Sequence, residues 1–293
     1  MPQINPSAPL KAFSDALAGF VSGMAEATAG LEAGGRHPAS ALHWRDGLYI
    51  AASETIETEE DITLSLPAGA TEPAELVGRD PTSGVAVLRC KAAAASLPAA
   101  AEPVAVGQLA LAVGRCASGP LAGLALVAEA GPAWRSMRGG LIDRRIRLSG
   151  GLDPRLEGGA ALDAEGRFVG LLLFGPHRRA LVIPAETVER VAAVLAEKGH
   201  VARGYLGAGL HPVRQKDLAG AMVMSLEDGG PAAAGGIQLG DIVTAWDGET
   251  LSGVRDLIRR LGPDSVGKSV RLDLLRGGQP ASVDVTVGAR PVS

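Results

Sequence analysis

Residues 203–213 read RGYLGAGLHPV and residues 229–249 read GGPAAAGGIQLGDIVTAWDGE, and the reading of these two stretches decides the fold of the last third of the chain. Pro231–Gly236, PAAAGG, is a short helix, because proline suits a first helical turn and paired glycines end it. Within Leu251–Leu261, the residues Val254, Leu257, Ile258 and Leu261 fall on one face at helical spacing. Gly277-Gly278, between LDLLR and the ASVDVTV run, signals a hairpin. Residues 204–290 therefore form a unit with its own strands and helices.

Upstream, PAETVERVAAVLAEKGH (184–200) predicts a helix with Val188, Val191, Ala192 and Leu195 on one face and Gly199 as its stop. Residues 200–203 read as a short linker. From about 38 to 184 the pattern is one of short apolar or alternating segments: Leu48–Ala52, Ile62–Leu66, Val85–Leu88, Leu109–Val113, Ile142–Leu148, Phe168–Phe174 and Leu181–Ile183. Gly, Pro and Asp clusters separate them, which argues for an antiparallel barrel or sandwich. Residues 89–106 read as an Ala-rich loop. Residues 8–31 read as one helix, with Leu10, Phe13, Leu17, Phe20, Val21 and Met24 at spacings of three and four.

Composition bounds the function. A chain of 293 residues suggests two domains at about 150 residues each. Lys and Arg number 28 against 32 Asp and Glu, a net charge of −4, so nucleic acid is not an expected partner. A hydrophobic share of 46% excludes disorder over most of the length. The 40 glycines and only 3% aromatics point to many turns and short strands. Cys90 and Cys116 read as buried reduced thiols, and His37, His43, His177, His200 and His211 show no zinc-ligand spacing, so no metal or cofactor is expected. The basic stretch around Trp134, Arg135, Arg138 and Arg144 reads as a solvated face. No run of about 18 apolar residues and no basic-then-apolar leader is seen, so the expectation is a cytoplasmic protein without a membrane span.

RGYLGAGLHPV, GGPAAAGGIQLGDIVTAWDGE and DLIRRL (256–261) together resemble a PDZ domain of the HtrA/Deg protease type. The resemblance continues upstream. DITLSLPAG (61–69) and AELVGRDPTSGVAVLRC (74–90) are similar to the stretch around that family's catalytic aspartate. IRLSGGLDPRLEGGAALDAEGRFVGLLLFG (146–175) is similar to the stretch around its serine, and RALVIPAETVERVAAVLAEKGHVARGYLG (179–207) to its connection to the PDZ domain. The fold implied is mainly β: a chymotrypsin-like double β-barrel followed by an α+β PDZ domain, with an N-terminal helix. The expected divisions are a helical segment at 1–35, the double barrel at 36–199 and the PDZ domain at 200–293.

The resemblance also assigns positions. Glu157 stands where the family has its serine, Glu54 where it has its histidine, and Gly84 where it has its aspartate. Arg155 replaces a glycine of the oxyanion hole. A Ser-His-Asp triad needs a hydroxyl, an imidazole and an orienting carboxylate. From this the expectation is a catalytically inactive relative, not an enzyme, acting as a peptide- or protein-binding scaffold. Glu54 and Glu157 are expected to be exposed or paired with Arg155, a bound cation being the sharper but weaker reading.

In the PDZ unit, Tyr205-Leu206-Gly207 is the expected carboxylate-binding loop and Gly207, Ala208, Gly209 and Leu210 the peptide-pairing strand, with Leu257 and Ile258 lining the groove. The partners implied are protein or peptide C-termini, and a homo- or hetero-trimer with an active paralogue or another enzyme complex. Two alternatives stand beside this: an active serine endopeptidase using another serine (Ser53, Ser83 or Ser149), and a structural subunit whose PDZ groove is blocked.

Overall fold

The computed structural model describes residues 7–35, 38–92, 94–215 and 218–291; His37 lies outside them. Helix α1 (Ser7–Ala25) is followed by six strands that close an antiparallel barrel: β1 (Thr28–Glu32), β2 (Ala39–Arg45), β3 (Leu48–Ala52), β4 (Thr63–Ser65), β5 (Thr71–Asp80) and β6 (Val85–Cys90). Its core holds Leu31, Tyr49, Leu64 and Leu88. The β2–β3 hairpin turns on Asp46-Gly47, both at positive φ (49° and 71°), the two-residue turn whose twist matches its strands.

The second barrel is formed by β7 (Leu109–Cys116) and β8 (Gly119–Gly131) with four later strands. A short hairpin, β9 (Trp134–Arg135) and β10 (Leu141–Ile142), precedes β11 (Arg145–Leu148), β12 (Ala160–Leu162), β13 (Phe168–Gly175) and β14 (Arg179–Pro184). Val127, Ile146, Leu156, Leu172 and Val182 fill this barrel. Helix α2 (Ala185–Lys198) follows and stops at Gly199, which takes the left-handed conformation (φ 73°).

Two expectations change here. The helix expected over 8–31 ends at Ala25, and residues 28–32 are a barrel strand, so the segment expected to be helical to 35 contributes to the first barrel. The reason lies in Arg115 of β7. Its guanidinium is buried and donates to the carbonyls of Ala25 (3.0 Å) and Thr28 (2.7 Å). A cation thus meets the carbonyl end of α1, which has no basic residue in its own last turn. The single strand expected over Ile142–Leu148 is broken at Asp143-Arg144, where the Asp143 N–H donates to the Thr187 hydroxyl.

The barrels meet at a backbone seam. Across it the Ser40 N–H of the first barrel donates to the Glu157 carbonyl (2.8 Å), while within the second barrel the Gly158 N–H donates to the Leu172 carbonyl and the Leu172 N–H to the Gly159 carbonyl. A Cβ on Gly158 would collide with the Ser40 carbonyl oxygen, and one on Gly159 with that of Val113.

The chain divides into two compact units, Met1–Trp134 with Ile142–His200, and Arg135–Leu141 with Val201–Ser293. The second unit has β15 (Gly204–Tyr205), a sheet in the order β16 (Ala208–Gln215), β17 (Leu218–Leu226), β18 (Ile242–Trp246), β20 (Ser269–Arg276), β21 (Gln279–Thr286), and the short strands β19 (Glu249–Thr250) and β22 (Gly288–Ala289). Helices α3 (Pro231–Ala234) and α4 (Val254–Arg260) complete it. Gly277-Gly278 makes the β20–β21 turn, and Asp247-Gly248 repeats the same turn between β18 and β19. Asp241, buried, accepts from Arg276 Nε (2.9 Å) and Nη2 (2.8 Å) and from the Gln238 N–H, which holds its carboxyl below the usual range.

Gly158→Ala puts a methyl group into the seam at a residue with φ 77°. The expected loss is about 3 kcal/mol of unfolding free energy, read by denaturant titration of the full chain.

Candidate functional site

Glu54 sits in a turn of 3-10 helix (Ser53–Thr55) at the end of β3 and is exposed. The Ser53 N–H donates to the Gly84 carbonyl (2.8 Å), so these two positions are neighbours. Gly84 has φ 81°, and a Cβ there would lie 2.6 Å from a methyl of Leu173. Asp80 shapes this turn from inside, accepting from the Thr82 N–H (2.9 Å), the Thr82 hydroxyl (2.6 Å) and the Ser83 N–H (3.2 Å).

Glu157 follows the 3-10 turn Pro154–Leu156 and is partly buried. One of its carboxylate oxygens accepts from the Phe174 N–H at 3.4 Å. Burial, and then the charge of Glu54, push its pKa up. The structure therefore brings Glu54, Gly84 and Glu157 to one place between the barrels. It does not give the two glutamates Arg155. That guanidinium folds back on Asp153 (2.6 Å) and holds the Asp153 carboxyl down at about 2. The physical reason is proximity: Asp153 caps the same turn and also accepts the Arg155 N–H (2.9 Å).

The amides of this loop are satisfied within it, Arg155 N–H by Asp153 and Glu157 N–H by the Pro154 carbonyl (3.0 Å). Among the described residues no serine hydroxyl is hydrogen-bonded to a histidine ring. His43 is buried, its Nδ1 3.1 Å from the Ala95 carbonyl and its ring against Tyr49. Among the described residues no cluster of three or more His, Cys, Asp or Glu side chains has metal-binding geometry.

The loop of the second unit is arranged in the opposite sense. The Leu206 carbonyl accepts from the Ala232 N–H (2.7 Å) and the Gly207 carbonyl from the Glu227 N–H (2.8 Å). Both carbonyls thus point into the unit. Among the described residues, no acceptor is found for the amide N–H groups of Leu206 and Gly207. Gly207 takes φ 68° to make this turn. The Tyr205 hydroxyl donates to Glu227 (2.7 Å), fixing the loop from its other side.

These amides lie at a groove of about 280 Å³ lined by Arg203, Leu206, Leu210, Val254, Ile258 and Arg290 among others. Strand β16 runs along it as the edge of its sheet. Tyr205, Gly207 and Ala208 also line the groove, while Gly209 pairs with Ser225 of β17. Leu257 does not line it. The structure places Leu257 fully buried in the core, because α4 turns its 254, 258 and 261 face to the groove and Leu257 inward. Val254 and Leu261 were on the helical face already visible in the sequence. Arg203 and Arg290 carried no such signal, since only the fold brings the β22 end beside β15.

The comparisons agree with this architecture. The trypsin-like peptidase domain family matches residues 39–171 and the PDZ domain family matches residues 204–287. The chain is 31% identical over 265 residues to a probable periplasmic serine endoprotease, DegP-like, of Brucella suis, covering 84% of this chain and 51% of that protein. It is 31% identical over 274 residues to the DegP-like counterpart of Halomonas elongata, covering 85% and 55%. The chain thus spans about half the length of the curated relatives it matches. The HtrA-type protease AlgW, solved with a decapeptide, superposes with a TM-score of 0.71 at 22% identity, covering 94% of this chain and 99% of that one. The serine endoprotease from Yersinia pestis superposes with a TM-score of 0.70 at 23% identity, covering 94% and 98%.

These findings correct two expectations. The expectation that the chain is not an enzyme is overturned by its match, over most of its length, to proteins named as serine endoproteases. That expectation argued from three substituted positions, and those positions speak for themselves rather than for the whole chain. The cytoplasmic expectation is overturned by relatives named as periplasmic. It rested on a missing leader, and an absence carries no compartment.

The raised Glu157 pKa sets a pH dependence. Stability falls as pH rises from the ordinary glutamate range through the raised value, because the folded state holds the proton longer. Glu157→Gln is therefore expected to raise stability at neutral pH, with the gain fading as pH falls into the ordinary glutamate range, near pH ~4; paired thermal melts of variant and wild type across that range measure it.

Proposed function

We propose that this HtrA/DegP-like chain, a trypsin fold with a C-terminal PDZ domain, captures the free C-termini of peptides and protein segments in the groove between β16 and α4. The carrying observation is the pair of amides at Leu206 and Gly207. Their carbonyls are held inside while their N–H groups are without acceptors, at the end of an apolar groove. A buried-rim donor pair without a partner costs free energy unless water or a ligand accepts from it. A terminal carboxylate fits both donors. The preceding residues would then add a strand to the open edge of β16, and the last side chain would meet Val254, Ile258 and Leu261. Among the described residues no segment of the chain occupies the groove, which speaks against a blocked one.

Fluorescence anisotropy of the full chain with a labelled peptide ending in leucine is expected to give saturable binding. Ile258→Glu should weaken it about tenfold, roughly 1.4 kcal/mol. Binding that Ile258→Glu leaves unchanged contradicts the groove.

A second reading, serine endopeptidase activity, is favoured by the names of the relatives. Glu54, Gly84 and Glu157 carry neither hydroxyl nor imidazole, so another serine would act. The Ser83 hydroxyl is held against the Asp80 carbonyl and that of Ser149 against Leu126; Ser53 is buried beside Gly84. Fluorophosphonate labelling of the wild type, lost on replacing one of these serines, together with cleavage of unfolded casein, supports this reading. Absent labelling and cleavage remove it.

A further inference from the structure

The amide pair at Leu206 and Gly207 does not face a neutral neighbourhood. The Glu227 carboxylate lies beside it: a Cβ on Gly207 would stand 3.3 Å from Glu227 Oε2. That carboxylate accepts from the Tyr205 hydroxyl, and among the described residues no cation forms an ion pair with it. An incoming carboxylate would therefore approach a like charge, which opposes binding at short range. Two arginines at the groove offset it. Arg203 Nη2 donates to the Arg138 carbonyl (3.1 Å), so its guanidinium is already held in place. Arg290 is differently arranged. Its backbone N–H donates to the Arg203 carbonyl (2.8 Å), continuing the β15–β22 pairing and fixing its Cα beside the loop. Its charge acts on the Tyr205 phenol, its side chain lines the groove, and among the described residues no carboxylate forms an ion pair with it.

We propose that Arg290 is the specificity-determining residue of this groove: its guanidinium supplies the charge that selects a free C-terminal carboxylate over a neutral peptide end. This rests on the groove being a peptide site. Arginine suits the task because its planar fork matches a carboxylate and stays charged at every working pH. The amides fix where the carboxylate sits, and Arg290 makes its charge count against Glu227. The ligand class is a peptide with an apolar last residue and an unmodified α-carboxylate.

The test uses the full chain and one labelled peptide ending Ala-Ala-Leu, as the free acid and as the C-terminal amide. Wild type should prefer the acid about tenfold. Arg290→Gln should weaken the acid about fivefold and leave the amide within about twofold. Arg290→Lys should keep most of the preference. Raising salt from about 50 to about 500 mM should erode the preference in wild type and not in Arg290→Gln. Circular dichroism melts check that the variants fold as the wild type does. An acid preference unchanged in Arg290→Gln, or lost only in Arg203→Gln, overturns the assignment to Arg290 while the groove reading stands. Failure of the wild type to bind either peptide overturns the groove reading and this inference with it.

Discussion

Everything in the first unit depends on a place where backbone passes backbone without a side chain between. Gly158 lies against the Ser40 carbonyl and Gly159 against that of Val113. Ser40 reaches across to the Glu157 carbonyl, and its hydroxyl accepts the Arg115 N–H (3.0 Å). Arg115 in turn holds the end of α1 and the start of β1. Gly158 thus lets the loop of Glu157 meet the first barrel at Ser40, Gly159 lets the same loop close on its own barrel, and Ser40 passes the contact to Arg115 and the end of α1. Close packing of this kind tolerates little change, since each methyl added there must displace main chain.

The two loops of the chain make opposite use of the same backbone chemistry. Around Arg155 and Glu157 the amides are satisfied by Asp153 and Pro154, and two carboxylates occupy the neighbourhood. The Arg155 and Glu157 N–H groups are therefore already taken there. Around Leu206 and Gly207 the carbonyls are satisfied instead, and the amides are left facing an apolar groove with two arginines. The proposed ligand, an anion with an apolar neighbour, would meet both features there. In the proposed function, recognition follows from which half of each peptide group the local fold consumes.

Much of this was legible before any coordinates. Gly199 as a helix stop and Gly277-Gly278 as a hairpin turn carry local chemistry that tertiary context did not override. The resemblance built on RGYLG and on GRDPTSG implied the double barrel and PDZ arrangement that the structure has. Strand β1 was not legible, because TAGLE has no apolar–polar alternation, Thr28 is its one β-branched residue, and one of its two partners, β4, lies beyond β2 and β3 in sequence. Asp46-Gly47 and Asp247-Gly248 carry the same kind of local hairpin chemistry. Leu257 was misplaced because a helical face wide enough to meet both core and groove cannot be divided by spacing alone. The pairing of Arg155 with Asp153 follows from a carboxylate two positions away on the same turn, which competes for the guanidinium ahead of the more distant glutamates. Location was never encoded in the features read.

The most direct test follows the two amides themselves. In a ¹⁵N-labelled full chain, titration with a free-acid peptide ending in leucine should move the Leu206 and Gly207 amide resonances downfield, as a carboxylate accepts from both, together with the β16 amides facing the groove. Saturable binding that leaves Leu206 and Gly207 unmoved, with shifts confined elsewhere, would contradict carboxylate capture at this loop.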